Sequence, residues 1–284
     1  MALKLRLALG HGFISATIQL TSTSVPILFL LGGDTRPLDV GTLTMIGALP
    51  YLLFGFHSGA CSDRYGAGRV LLVASGFLMA MLLTATAASG TGAPRFWTFA
   101  LVVFSVGTAG AFVVPAFSTL IARGFTREAR AAAIVYSLRG KTAGDLIGVG
   151  AAGLIVMFLG TNTFVISSAL IPLLILVLWP LLRLQNKGVE STAALSMYRS
   201  IREGFSCLAR SPQIQQLFAV SICLNLGQSM IVPMLYPFLG QGLALPPSIV
   251  SIMFALPSVG MLIGTMSFSF NRTTVAHQIV ISLS

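Results

Sequence analysis

One apolar stretch of this chain carries the groups best placed to do chemistry. The run at about 131–157 is long enough to cross a bilayer as a helix, yet it holds Arg139, Lys141 and Asp145. An ionisable group at the centre of a span costs at least ~2.5–3.5 kcal/mol, which makes it a functional candidate by default. Lys141 and Asp145 are four residues apart and share a helix face, whereas Arg139 points about 120° away from Asp145. Asp145 is the only acid inside any apolar run. Two readings follow. Asp145 is a proton or cation-substrate site facing a cavity, its affinity tuned by Lys141; or the two residues are an internal ion pair stabilising the helix in a polar cavity. Gly140, Gly144 and Gly148 recur every four residues along the same helix and predict close packing against a neighbour.

Uncharged polar residues supply a second set. Ser15, Gln19, Ser22 and Pro26 form one stripe on the run at about 8–31, and Ser221, Asn225 and Gln228 form another on the run at about 214–239. They either line a central aqueous path or hydrogen-bond between helices, at about 0.6 kcal/mol each. The third and sixth runs are almost wholly apolar and are expected to face lipid. His11 and His57 lie near helix ends, where a histidine is expected to be an interfacial polar group rather than a proton relay. Trp97 fits an anchor at the outer interface. Cys61, Cys207 and Cys223 have no ligand spacing and predict no disulfide framework. No phosphate loop, metal-ligand cluster or nucleophile constellation is present, so neither an enzyme nor a cofactor or metal is expected.

The elements that position these groups follow from composition. Of 284 residues 55% are hydrophobic and 8% charged, against about 25% charged in ordinary soluble domains. The net charge of +10 does not indicate nucleic acid, because the charges sit in short runs between long apolar stretches. Eight stretches approach the roughly 20 apolar residues a spanning helix needs: about 8–31, 40–60, 70–88, 96–121, 131–157, 162–182, 214–239 and 248–270. A ninth opens near Val275. The first lacks a cleavage site and is read as a retained span. With the N-terminus in the cytoplasm, thirteen loop Lys and Arg residues fall inside and only Arg36 and Arg95 outside, the asymmetry that sets orientation in polytopic proteins. A polar segment at 183–213, with Arg183, Lys187, Glu190, Arg199, Arg202, Glu203 and Arg210, divides an N-terminal six-helix bundle (1–182) from an incomplete second bundle (214–284).

The two parts resemble each other. Val25-Pro26-Ile27-Leu28-Phe29 matches Val232-Pro233-Met234-Leu235-Tyr236, and Ala48-Leu49-Pro50 matches Ala255-Leu256-Pro257, both at an offset of 207 residues. A seventh helix repeating the first keeps its direction, so the repeats are parallel. A complete second copy would extend the chain by about four helices, so the sequence reads as truncated.

Between the second and third runs lies Gly59-Ala-Cys-Ser-Asp63-Arg64-Tyr65-Gly66-Ala67-Gly68-Arg69. Gly59 suits close helix approach near the membrane surface, Gly66 a tight reversal, and Asp63 is expected to be held by Arg64, Arg69 or a neighbouring helix end. Gly59, Asp63, Arg64, Gly66 and Arg69 resemble the loop signature of the major facilitator superfamily, although Gly68 stands where a basic residue is common. The resemblance covers the whole chain. It implies an all-α polytopic fold, a loop that works as a conformational switch between two six-helix halves, and alternating access around a midplane site. The fourth helix lacks the arginine of many exporters, and Val149 replaces the proline that often closes the glycine ladder of the fifth. The glycine-rich fourth and fifth helices, with Pro115, are nonetheless similar to those of bacterial drug and siderophore exporters.

The expectation is therefore a secondary transporter of the cytoplasmic membrane, monomeric at full length, moving a small amphipathic organic molecule outward against protons. Uptake or uniport of a sugar or metabolite is the alternative within transport. A non-transporting fragment or membrane scaffold is the alternative outside it. The lipid bilayer, a small-molecule substrate and protons are the expected partners.

Overall fold

In a hydrocarbon environment every backbone N–H and C=O must be satisfied within the chain, which leaves the helix as the default for long apolar runs. The computed structural model describes residues 2–32, 36–90, 95–185, 206 and 211–267, and these are helical almost throughout, with no strand among them. The helices are α1 (Ala2–Leu30), α2 (Pro37–Tyr65), α3 (Ala67–Gly90), α4 (Arg95–Gly124), α5 (Arg127–Leu159), α6 (Thr163–Gln185), α7 (Pro212–Pro237) and α8 (Pro247–Ser267). Most of the 183–213 segment, Asn271, Arg272 and the run opening near Val275 lie outside the described residues.

Most helices outrun their apolar runs by up to six residues at either end, because polar terminal turns continue the helix into the interface. Asp39, in the first turn of α2, accepts the Arg36 backbone N–H at 3.3 Å. Glu128 lies in the first turn of α5, where a negative charge suits the helix dipole. Within the spans, several hydroxyl groups are satisfied locally. Thr17, Thr21, Thr86, Ser105 and Thr142 each donate to the carbonyl four residues earlier. Pro26, Pro50, Pro233 and Pro257 all sit inside helices. Shifted by 207 residues, the end of α1 at Leu30 falls on the end of α7 at Pro237. Beyond it the backbone loosens into a π-turn at Phe238–Gly242.

Glycine steps decide which helices meet. On α5, a Cβ at Gly140 would overlap the Ala8 carbonyl, one at Gly144 the Gly12 carbonyl, and one at Gly148 would come 2.6 Å from the Ala16 carbonyl oxygen. The three contacts advance together along both chains, so α1 and α5 run parallel with backbones touching. A second parallel seam joins α2 to α4, where Gly107 faces the Gly47 carbonyl and Gly110 faces the Tyr51 hydroxyl. In contrast α8 lies antiparallel on α5: Gly153 faces Pro247, Ser251 Oγ donates to the Gly150 carbonyl at 3.3 Å, and Arg139 meets Thr265. These directions alternate as successive membrane crossings must.

α1 is the best-buried span, and α3 packs between α4 and α6. α3 and α6 each bury one face and expose the other, through Val73 and Leu83 on α3 and Leu173, Leu176 and Trp179 on α6. α7 touches α1 and α2 only lightly. Its contacts come from its last turns, where Tyr236 stacks on Phe254 of α8 with ring centroids 4.0 Å apart.

Candidate functional site

The α1–α5 seam gathers the ionisable groups. α5 is 33 residues long and Asp145 lies near its middle, level with Gly12 to Ala16 of α1. Its carboxylate is 9% exposed and accepts a 2.6 Å hydrogen bond from Lys141 Nζ, whose side chain is one-third exposed. Lysine before aspartate at this spacing is the order less favourable to the helix dipole, so isolated-helix stability does not explain the pair. Its energy comes from the site: a buried carboxylate is tolerable when paired, and removing one partner of such a pair costs about 3–5 kcal/mol. A carboxylate of this kind can exchange its cation for a proton, and the exchange changes the charge at the centre of the bundle.

Arg139 is turned away from this pair. Its Nε and Nη2 donate to the Thr265 carbonyl at 3.3 and 3.1 Å, close to the described end of α8. The planar guanidinium can aim two of its donors at one carbonyl in this way. The three charged groups in the middle of α5 thus divide, Arg139 turning to α8 and Lys141 pairing with Asp145.

On α1, Ser15 is buried while Gln19 and Ser22 are half-buried, and none of the three makes a side-chain hydrogen bond among the described residues. They lie on the same helix as the seam and are uncommitted. The stripe on α7 is placed differently. Ser221, Asn225 and Gln228 are all exposed, and Asn225 donates to the Ser221 carbonyl of its own helix at 2.7 Å. The two stripes are not brought together, because α7 stands clear of the bundle over residues 212–229.

Of the partners expected for Asp63, the neighbouring helix end is the one that meets it, through Arg123 in the last turn of α4: Nη2 lies 3.5 Å from Asp63 Oδ1 and donates to the Asp63 carbonyl at 3.2 Å. Arg64 instead sits over the Tyr65 ring at 5.4 Å, and Arg69 is exposed. The parallel α2–α4 seam carries both helix ends to one level, which sequence spacing alone does not reveal. Gly59 does not mediate a close approach, since a Cβ there would meet open space. His11 is no interfacial group either: it is packed between helices, bonded to Ser137 and stacked on Phe117. Its spacing of four from Ser15, and of eight from Gln19, was the available signal. Trp97 is exposed at the start of α4, edge-on to Phe96, and His57 is exposed.

Gly66 turns the chain between α2 and α3 with φ 87° and ψ 133°, a region that L side chains rarely adopt. Gly66→Ala is expected to lower stability by about 1–3 kcal/mol, whereas Gly59→Ala, in open space, changes little. Melting temperatures of the purified variants in detergent check this. Equal melting of both variants contradicts it.

Among the described residues, eight helices, with spans apolar enough to cross a membrane, and an ion pair with a buried carboxylate within one of them define a polytopic membrane protein of transporter type. The chain belongs to the Major Facilitator Superfamily, whose family model matches residues 7–281. It is a multi-pass membrane protein of a family of secondary transporters. No curated protein matched the chain.

Proposed function

We propose that the protein is a proton-coupled exporter of small amphipathic organic molecules, seated in the cytoplasmic membrane with its N-terminus inside. The observation that carries this reading is the Lys141–Asp145 pair, a charged couple held in the middle of a spanning helix that packs on α1, the helix carrying Ser15, Gln19 and Ser22. Protonation of Asp145 releases Lys141, and the change of charge alters how the site holds a substrate. A surround that is mostly apolar with a few polar groups suits an amphipathic molecule.

Alternating access follows from two bundles, residues 1–182 and 214–284, rocking about the central path, with 183–213 between them on the cytoplasmic side. The loop residues Gly59, Asp63, Arg64, Gly66 and Arg69, together with Arg123, bias one state of that cycle. Gly140, Gly144 and Gly148 keep α5 rigid against α1. Outward direction is supported by the likeness of the glycine-rich fourth and fifth helices to those of exporters. Neither catalysis nor a cofactor enters this mechanism.

Proteoliposomes containing the chain, loaded with ethidium as probe, test the reading. A proton gradient is expected to drive dye movement that a protonophore abolishes. Dye movement indifferent to the gradient would indicate uniport, and no movement across a panel of dyes, sugars and metabolites would indicate a scaffold.

A further inference from the structure

The seam that holds Asp145 also holds a second protonatable group. His11 Nδ1 lies 2.7 Å from Ser137 Oγ on α5. Its ring lies flat on Phe117 of α4, with centroids 4.1 Å apart and planes within 10° of parallel. Three helices therefore fix the imidazole, and it is only partly exposed. Such restraint on both the edge and the face of a ring orients its remaining nitrogen.

Ser137, Lys141 and Asp145 follow one another at intervals of four on α5, so they form a single stripe. His11 bonds the first of them, and the ion pair joins the other two. Because α1 and α5 run parallel, His11 stands nearer than Asp145 to the N-terminal ends of both helices. Ser137 from α5 and Phe117 from α4 meet the imidazole, and Phe117 brings no charge, while Lys141 and Asp145 follow Ser137 one and two turns along the same stripe. α6 approaches the neighbouring Gly10 with Leu178, and Arg139 is committed to α8.

We propose that His11 is the proton-entry group for Asp145. This rests on the proton-coupled reading above. With Nδ1–H donating to Ser137, Nε2 accepts a proton arriving from the N-terminal end of the seam. The resulting imidazolium stands beside the Lys141 ammonium, and the two cations repel. The proton passes on to the Asp145 carboxylate, which becomes neutral and frees Lys141, while His11 returns to its neutral form. No other reactant is needed, and the cluster as a whole gains one positive charge.

The test uses the full chain in lipid nanodiscs with isotope-labelled histidine. His11 is assigned by the loss of its signal in His11→Gln, and His57 and His277 serve as internal references. Its titration curve is expected to move by about one pH unit in Asp145→Asn and in Lys141→Met, with the His57 curve unmoved. A His11 curve identical in all three proteins overturns the proposal. In proteoliposomes, His11→Gln is expected to lose one titrating step from the pH profile of gradient-driven ethidium movement while still binding the dye. An unchanged profile also overturns it. If the unaltered chain shows no gradient-driven movement, the transport reading falls and takes the relay with it. The resonance titration still reports separately whether His11 and the ion pair are coupled.

Discussion

Asp145→Asn is expected to abolish proton-driven transport while leaving substrate binding measurable. The amide keeps the size and the hydrogen-bonding capacity of the carboxylate but cannot take up a proton. Asp145 is buried, and among the described residues the other acids, Asp39, Asp63 and Glu128, lie at helix ends, away from it. A structural objection must be separated from the functional one. The substitution leaves Lys141 without its partner, and removing one member of a buried pair destabilises by about 3–5 kcal/mol, less here because the ammonium is partly exposed. Asp145→Asn combined with Lys141→Gln removes both charges. If the single variant fails through misfolding, the double variant should regain much of its melting temperature yet remain uncoupled. Asp145→Glu should retain some coupling. Proton influx recorded with an internal pH dye, alongside melting in detergent, distinguishes these cases. Full coupling in Asp145→Asn would reduce the pair to a structural role.

Gly144→Leu is expected to prevent the bundle from assembling, and Gly144→Ala to lower stability measurably. Overpacking in a close-packed interior typically costs about 1–3 kcal/mol because neighbouring side chains must shift. Here the obstacle is the backbone of Gly12, which cannot change rotamer. The two helices would have to separate, taking with them the Ala8–Gly140 and Ala16–Gly148 contacts and the His11–Ser137 bond. Gly76 on α3 is the control, since a Cβ there meets nothing within 4 Å. Gly76→Ala should melt with the unaltered chain and Gly144→Ala well below it in the same detergent. Indistinguishable melting of the two would mean that α1 and α5 part easily.

The seam shows how far local pattern reaches. Gly140, Gly144 and Gly148 announce a close neighbour by spacing alone, but not which helix it is. The Lys141–Asp145 pair was legible because both partners lie on one helix, four residues apart. His11–Ser137, Arg123–Asp63 and Arg139–Thr265 were not, because their partners are separated by 60 to 126 residues. Asp63 had two arginines within six residues and is met by a third, since the parallel packing of α2 and α4 brings Arg123 to its level.

The sequence by itself determined the helical class, the number and approximate limits of the described spans, and the isolation of one acid inside an apolar stretch. It could do so because a bilayer lets a backbone satisfy its hydrogen bonds only within the helix, so length and composition suffice. The tertiary structure alone decided which helices touch, that His11 belongs inside the bundle, that Gly59 faces open space, and that the polar stripe of α7 stands apart from that of α1. Those outcomes depend on where two backbones can approach within a carbonyl's reach, a property of pairs of distant segments that no single run of residues contains.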